Sequence, residues 1–180
     1  NEYCGVFGII QPSTTSLGQV LYYGMYALQH RGQESCGMAV FDNYQLRIHK
    51  DMGLVNQVFS GQILEKMTGQ VGIGHTRYST TGGSNLDNAQ PVVARSMLGA
   101  ITVAHNGNLT NTKALSEFLG LTQGLSAVGD SDSHILAQLI SYELQSITVP
   151  RPKNAMVQSV KKALQRCEGA FSVAIATGDT

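Results

Sequence analysis

The final apolar segment of the chain carries large side chains on one face and small ones on the other: Phe171, Val173 and Ile175 alternate with Ser172, Ala174 and Ala176. A strand of this kind has no polar face to turn to water, so it needs cover on both sides. Residues 4–10 are likewise apolar or glycine throughout, and in 70–75 Val71, Ile73 and His75 alternate with Gly72 and Gly74. Strands covered on both faces, together with amphipathic helices, imply an α+β arrangement in which sheets pack on each other and helices lie outside.

The helices and hairpins are readable by period. Ser16 and Gln19 are spaced as an S-x-x-Q capping box, followed by an apolar face of Leu17, Val20, Leu21, Gly24 and Leu28. Residues 36–41 and 44–49 form a hairpin around Asp42-Asn43, and 92–97 pairs with 100–105 around Leu98-Gly99. A short helical stretch is expected within 54–67. Further helices are expected over 112–119 (Leu115, Phe118, Leu119), 132–144 (Ile135, Leu136, Leu139, Ile140) and 154–167 (Met156, Val157, Val160, Ala163, Leu164). Pro150 and Pro152 mark a loop, and no internal domain boundary or repeat is visible.

Composition narrows the function classes. The 180 residues carry 12 basic and 12 acidic side chains, a balance without the surplus of Lys and Arg that a nucleic-acid face or a polybasic membrane anchor needs. The longest charge-free run, Cys4 to His30, has a continuous apolar core only from Val6 to Ile10, too short to span a bilayer. Three cysteines, an odd number without CxxC spacing, make neither a disulfide framework nor a readable zinc site, so a reducing, cytoplasmic setting is expected. No basic n-region precedes an apolar run, and both ends of the chain are expected to be cuts in a longer polypeptide or, at the start, a processed terminus.

Polar residues cluster where strands end: 29–34, 75–83, 105–108 and 130–133. Loops after buried strands are where sites form. Each cluster also has a plain structural reading. Asn106-Gly107 can be a turn, Asp130 to Asp132 a helix N-cap, and Arg77 an ordinary ion pair. His75, His105 and His134 lack metal-ligand spacing, so no metal is expected. Cys4 can be a small buried hydrophobe. It can also be a nucleophile: were Asn1-Glu2-Tyr3 removed, its thiol would sit beside a free α-amino group able to take the proton near neutral pH.

Taken together, Cys4-Gly5-Val6-Phe7-Gly8-Ile9, Leu28-Gln29-His30-Arg31-Gly32-Gln33-Glu34-Ser35, Gly74-His75-Thr76-Arg77-Tyr78, Asn88-Ala89-Gln90-Pro91, Ala104-His105-Asn106-Gly107-Asn108-Leu109 and Ser131-Asp132-Ser133 resemble the class II glutamine amidotransferase domain. Lys50-Asp51-Met52-Gly53-Leu54-Val55 and Val58-Phe59 resemble the K-x-x-G-L-V-x-x-V-F segment of its purine-synthesis branch. The glucosamine-6-phosphate synthase branch reads E-Y-R-G-Y-D-S, H-T-R-W and N-A-H-P at the corresponding places and fits less well.

The resemblance implies a four-layer αββα sandwich of the N-terminal nucleophile (Ntn) hydrolase type over 4–180, with 1–3 a propeptide remnant or unprocessed leader. It implies that Cys4 attacks the side-chain amide of glutamine to form a thioester. Arg77 would hold the substrate carboxylate and Asp132 its ammonium. The Asn106 side chain and Gly107 N–H would form the oxyanion hole, and Thr80 and Arg31 would shape the pocket. Beyond residue 180 it implies a phosphoribosyltransferase domain where ammonia meets phosphoribosyl pyrophosphate, with magnesium on the phosphates, in a homo-oligomer. An iron–sulfur cluster, held by some members, would have its ligands outside this segment. The alternatives are a glucosamine-6-phosphate synthase-like glutaminase, a glutamine-binding domain that has lost catalysis, and a Cys–His site using His105 or His75. Three departures from the family pattern stand out: residues 1–3 before Cys4, His134 in place of Glu, and Cys36 in place of Ala.

Overall fold

A computed structural model describes residues 4–78, 85–123 and 131–178. In chain order its elements are β1 (Gly5–Ser16), α1 (Gly18–Ala27), β2 (Ser35–Asp42), β3 (Gln45–Met52), α2 (Val55–Val58), α3 (Gly61–Lys66), β4 (Thr68–Arg77), β5 (Val92–Ser96), β6 (Gly99–Leu109), α4 (Thr112–Gln123), α5 (Asp132–Gln145), α6 (Ala155–Arg166) and β7 (Gly169–Thr177). One antiparallel sheet has the strand order β1-β4-β2-β3, the other β5-β6-β7.

The two sheets stack, and the layer between them is filled mainly by small side chains. Ala39, Phe41 and Ile73 of the first sheet meet Ala104 and Ala176 of the second, with Val6, Val71, Ala100 and Ala174 at the margin. The outer face of the first sheet, through Met38 and Val40, packs on Leu17, on Leu21 and Met25 of α1 and on Val55 and Val58 of α2. The outer face of the second sheet, through Val103, Phe171, Val173 and Ile175, packs on the Leu and Ile side chains of α4 and α5. The architecture is therefore a four-layer αββα sandwich. The large-and-small alternation of β7 separates its helix side from its sheet side.

β4 shows why α1 can lie so close. A Cβ on Gly72 would come within 2.9 Å of Leu21 Cδ1, and one on Gly74 within 2.7 Å of Met25 Sδ. On the opposite face of the same strand, Val71, Ile73 and His75 point at the second sheet.

Two local expectations are corrected. Ser16 does not cap α1: it ends β1, paired with Thr68, and the Met67 carbonyl takes the N–H groups of Leu17 and Gly18 at 2.9 and 3.0 Å. A tertiary acceptor has replaced the side-chain cap. The buried stripe of α1 is Leu21 and Met25, continued by the N-cap residue Leu17, while Val20 is turned to water at 41% exposure. The hairpins form as expected, β2–β3 closing at Asp42↔Gln45 and β5–β6 at Ser96↔Gly99. Among the described residues no helix is long and apolar enough to cross a membrane.

Candidate active site

Three strands of the first sheet bring polar residues to one end. In the β1–β4 register Gly5 faces Thr76 and Val6 faces His75, so one step further Cys4 stands across from Arg77. In the β2–β4 register Ser35 faces Arg77. Cys4, Arg77 and Ser35 thus form a row on the inner face, where cross-strand neighbours lie about 5 Å apart. All three are buried.

Arg77 donates from Nη1 to Glu34 Oε1 at 2.7 Å, both side chains being over nine-tenths buried. Glu34 Oε2 and Ser35 Oγ are buried without a partner among the described residues. Buried oxygens left without a partner on Glu34 and on the residue paired with Arg77 are groups that a bound ligand or water completes.

The second sheet supplies the other wall. Asn106 on β6 donates from Nδ2 to the Cys4 carbonyl at 3.1 Å, and Arg31 donates from Nε to the same oxygen at 3.0 Å. Two donors from distant parts of the chain therefore fix the Cys4 backbone where the sheets meet. Gly107 follows at φ +136°, and a Cβ there would lie 2.3 Å from the Ala170 carbonyl oxygen. Only glycine fits both that backbone and that contact.

The peptide before Asn106 is held tightly. His105 N–H donates to Gln90 Oε1 at 2.7 Å, and the His105 carbonyl accepts from Gln90 Nε2 at 3.2 Å and from His75 Nε2 at 3.1 Å. Burial pushes the His75 imidazole down to about 3, so it is neutral, with its proton on Nε2. Burial also lowers His105, against the opposing pull of the Asp132 carboxylate.

Asp132 opens α5 and accepts the Leu109 N–H on Oδ2 at 2.7 Å, which ties the helix start to the end of β6. Ser131 is the N-cap: its hydroxyl meets His134 Nδ1 at 2.7 Å, so the histidine at this departure from the family pattern binds the cap residue. Burial lowers His134, with Lys50 adding to the effect.

Of the expected site residues, Cys4, Arg31 and Asn106 are in direct contact, Arg77 stands beside Cys4, and Gly107 and Asp132 join through β6. Thr80 and residues 1–3 lie outside the described residues. Sequence reasoning passed over Glu34 and Gln90 as working parts and weighed His75 only as the partner in a Cys–His site, whereas its ring holds the His105 carbonyl. A carboxylate directly before a strand that pairs with the Arg77 strand was the available signal for Glu34. Cys36 is fully buried, its thiol pushed up to about 12 by burial and then by Asp51. Cys167 is half-buried, donates to the Ala163 carbonyl at 3.3 Å and is raised by burial. Among the described residues no three His, Cys, Asp or Glu side chains are grouped to hold a metal.

The sequence profile of the class-II glutamine amidotransferases matches residues 22–180. An amidophosphoribosyltransferase from Synechocystis sp. is 46% identical over 176 residues, covering 98% of this chain and 34% of the relative. One from Methanocaldococcus jannaschii is 38% identical over 177 residues, covering 98% of this chain and 36% of the relative. Among solved structures, the allosteric regulatory enzyme of purine biosynthesis superposes with a TM-score of 0.80 at 36% identity, over 96% of this chain and 35% of that one. Glutamine phosphoribosylpyrophosphate amidotransferase from B. subtilis, complexed with ADP and GMP, gives 0.75 at 34% identity, over 97% of this chain and 35% of that one. The chain spans about a third of the length of these relatives.

Proposed function

The chain belongs to the class II glutamine amidotransferases, and from that premise we propose that it is the glutamine-hydrolysing part of an amidophosphoribosyltransferase. The observation that carries this reading is the convergence on Cys4 of Arg31, Asn106 and Arg77.

With residues 1–3 removed, the Cys4 α-amino group is the general base. An α-amino group ordinarily titrates near ~7.7–8.0 and a free thiol near ~8.5, close enough for such an amine to take a thiol proton directly or through water. The thiolate attacks the side-chain amide carbon of glutamine, and the C=O electron pair moves onto oxygen. Asn106 Nδ2 and the Gly107 N–H receive that oxyanion. When the pair returns, ammonia leaves with the proton held by the amine, and a γ-glutamyl thioester remains. Water, deprotonated by the same amine, attacks the thioester. Glutamate leaves, and the thiol regains its proton.

Arg77 binds the glutamine carboxylate with a guanidinium fork suited to it, and Asp132 binds the ammonium. Arg31 acts by holding the Cys4 carbonyl, and Thr80 lines the pocket. Ammonia passes to a phosphoribosyltransferase domain beyond residue 180. There it displaces pyrophosphate from phosphoribosyl pyrophosphate, giving 5-phosphoribosylamine for purine synthesis; magnesium, held by residues of that domain, would supply positive charge to the phosphates. The names of the relatives, and the two-thirds of their length that this chain does not cover, support that assignment. A cytoplasmic homo-oligomer completes the reading.

The test is glutamate release by the full chain with and without residues 1–3, its N-terminus read by sequencing. Activity is expected only when Cys4 is first. Full activity with Asn1-Glu2-Tyr3 attached would overturn the amine as base.

A further inference from the structure

Resting on that reading of Asn106 and Gly107, we infer that Gln90 is a positioning residue for the oxyanion-binding pair, its side chain doing what the backbone of β5 stops doing short of the site. The β5–β6 register runs from Ser96↔Gly99 to Val92↔Val103. Continued two residues, it would set Gln90 opposite His105, but the β5 backbone ladder begins only at Val92. Gln90 faces His105 with its amide instead: Oε1 accepts the His105 N–H at 2.7 Å and Nε2 donates to the His105 carbonyl at 3.2 Å. These are the two bonds that opposed residues exchange in an antiparallel ladder. A primary amide supplies both a donor and an acceptor in that geometry.

The clamp is itself anchored. Gln90 is 7% exposed, and Lys50 Nζ holds the preceding carbonyl, that of Ala89, at 2.6 Å. His105 directly precedes Asn106, so fixing the His105 peptide fixes the root of the side chain that reaches Cys4 at 3.1 Å. Ladder alternation aims the Gly107 N–H to the same side as the His105 N–H, past Gln90, where β5 no longer runs. Gln90 touches no reacting atom. It sets where the two donors stand when the oxyanion forms, and so it bears on kcat more than on KM.

The test is steady-state glutamine hydrolysis by the full chain processed to Cys4. Gln90→Met keeps the length and removes both bonds. It is expected to lower kcat by about 10-fold or more, with KM within about twofold. In Gln90→Glu the buried carboxyl is protonated at low pH and offers the same C=O and a donating O–H. Ionisation turns that donor into a second acceptor against the His105 carbonyl. The ratio of Gln90→Glu to wild-type kcat is therefore expected near unity at the acid end and to fall as pH rises, while the Gln90→Met ratio stays flat. The ionisable groups around this segment, His75, His105, Lys50 and Asp87, are common to all three proteins and cancel in the ratio. Should Gln90→Met not fold, the Gln90→Glu profile decides alone. Wild-type kcat in Gln90→Met, a rise confined to KM, or a flat Gln90→Glu ratio overturns the inference. Wild-type protein processed to Cys4 that releases no glutamate overturns the functional reading instead.

Discussion

Arg77 Nη1 lies 2.7 Å from Glu34 Oε1, an ion pair whose side chains are 9% and 7% exposed. It joins the turn before β2 to the end of β4, whose last residue, Arg77, follows the Thr76 that pairs with Gly5. A single-pronged pair leaves most of the five guanidinium donors for a second carboxylate, so Glu34 orients Arg77 without saturating it.

Removing either partner strands a buried charge. Arg77→Ala should destabilise the protein by about 3–5 kcal/mol. Glu34→Gln keeps an acceptor for Nη1 and should cost less. Urea denaturation of the full chain compares them, and equal stability of Arg77→Ala and wild type would show the pair to be dispensable.

Asn106 and Asp132 should separate in kinetics. Asn106→Ala is expected to lower kcat by about 10²–10³, the loss typical of one oxyanion donor. Asp132→Asn retains an oxygen for the Leu109 N–H, so the helix start survives and the main effect should be a higher KM for glutamine. An Asn106→Ala effect confined to KM would leave Asn106 as a strand residue that holds the Cys4 carbonyl and would remove it from the oxyanion hole.

Gly107→Ala should fail structurally rather than kinetically. The new Cβ would sit 2.3 Å from the Ala170 oxygen and 2.5 Å from Phe171 Cα at φ +136°. A loss of more than about 2 kcal/mol is expected, because backbone atoms cannot yield as a side chain can. A melting temperature equal to wild type would contradict the β6–β7 geometry.

Stability should fall as pH falls. His75 is lowered from 6.5 to about 3 by burial. The unfolded chain therefore binds this proton below about 6.5 while the folded chain does not until about 3. Its contribution is complete above about 6.5 and declines through that window, with a slope of up to about 1.4 kcal/mol per pH unit. His105 and His134, lowered in the same direction, steepen it. Chemical denaturation between pH 7 and pH 4 measures the slope, and a flat profile would place His75 in water.

Thiol reactivity should single out one cysteine. Cys36, pushed up to about 12, and Cys167, raised by burial, are poor thiolates. A glutamine-like diazo-ketone is expected to label Cys4 alone in protein processed to that residue. Peptide mapping reads the outcome, and label mainly on Cys36 would count against Cys4 as nucleophile.

What the sequence by itself determined is whatever period and local chemistry encode. The doubly apolar alternation of β7 required cover on both faces. Apolar spacing located α5 and α6, and turn residues located both hairpins. The blocks around Cys4, Arg77, Asn106 and Asp132 carried the family likeness, because residue identities at a site are set by chemistry and not by packing. Tertiary structure decided the partners. Nothing local to Ser16 says that its backbone will pair with Thr68 while the Met67 carbonyl caps the helix. Nothing local to Gln90 says that its amide will complete a strand against His105, and nothing local to Glu34 names Arg77 as its counter-ion. These contacts join residues 15, 43 and 50 positions apart, the last being the Leu17 N–H on the Met67 carbonyl. Hydrogen bonds and ion pairs of that span are fixed only when sheet register and sheet stacking bring the elements together, so a one-dimensional pattern lists the groups without assigning them to each other.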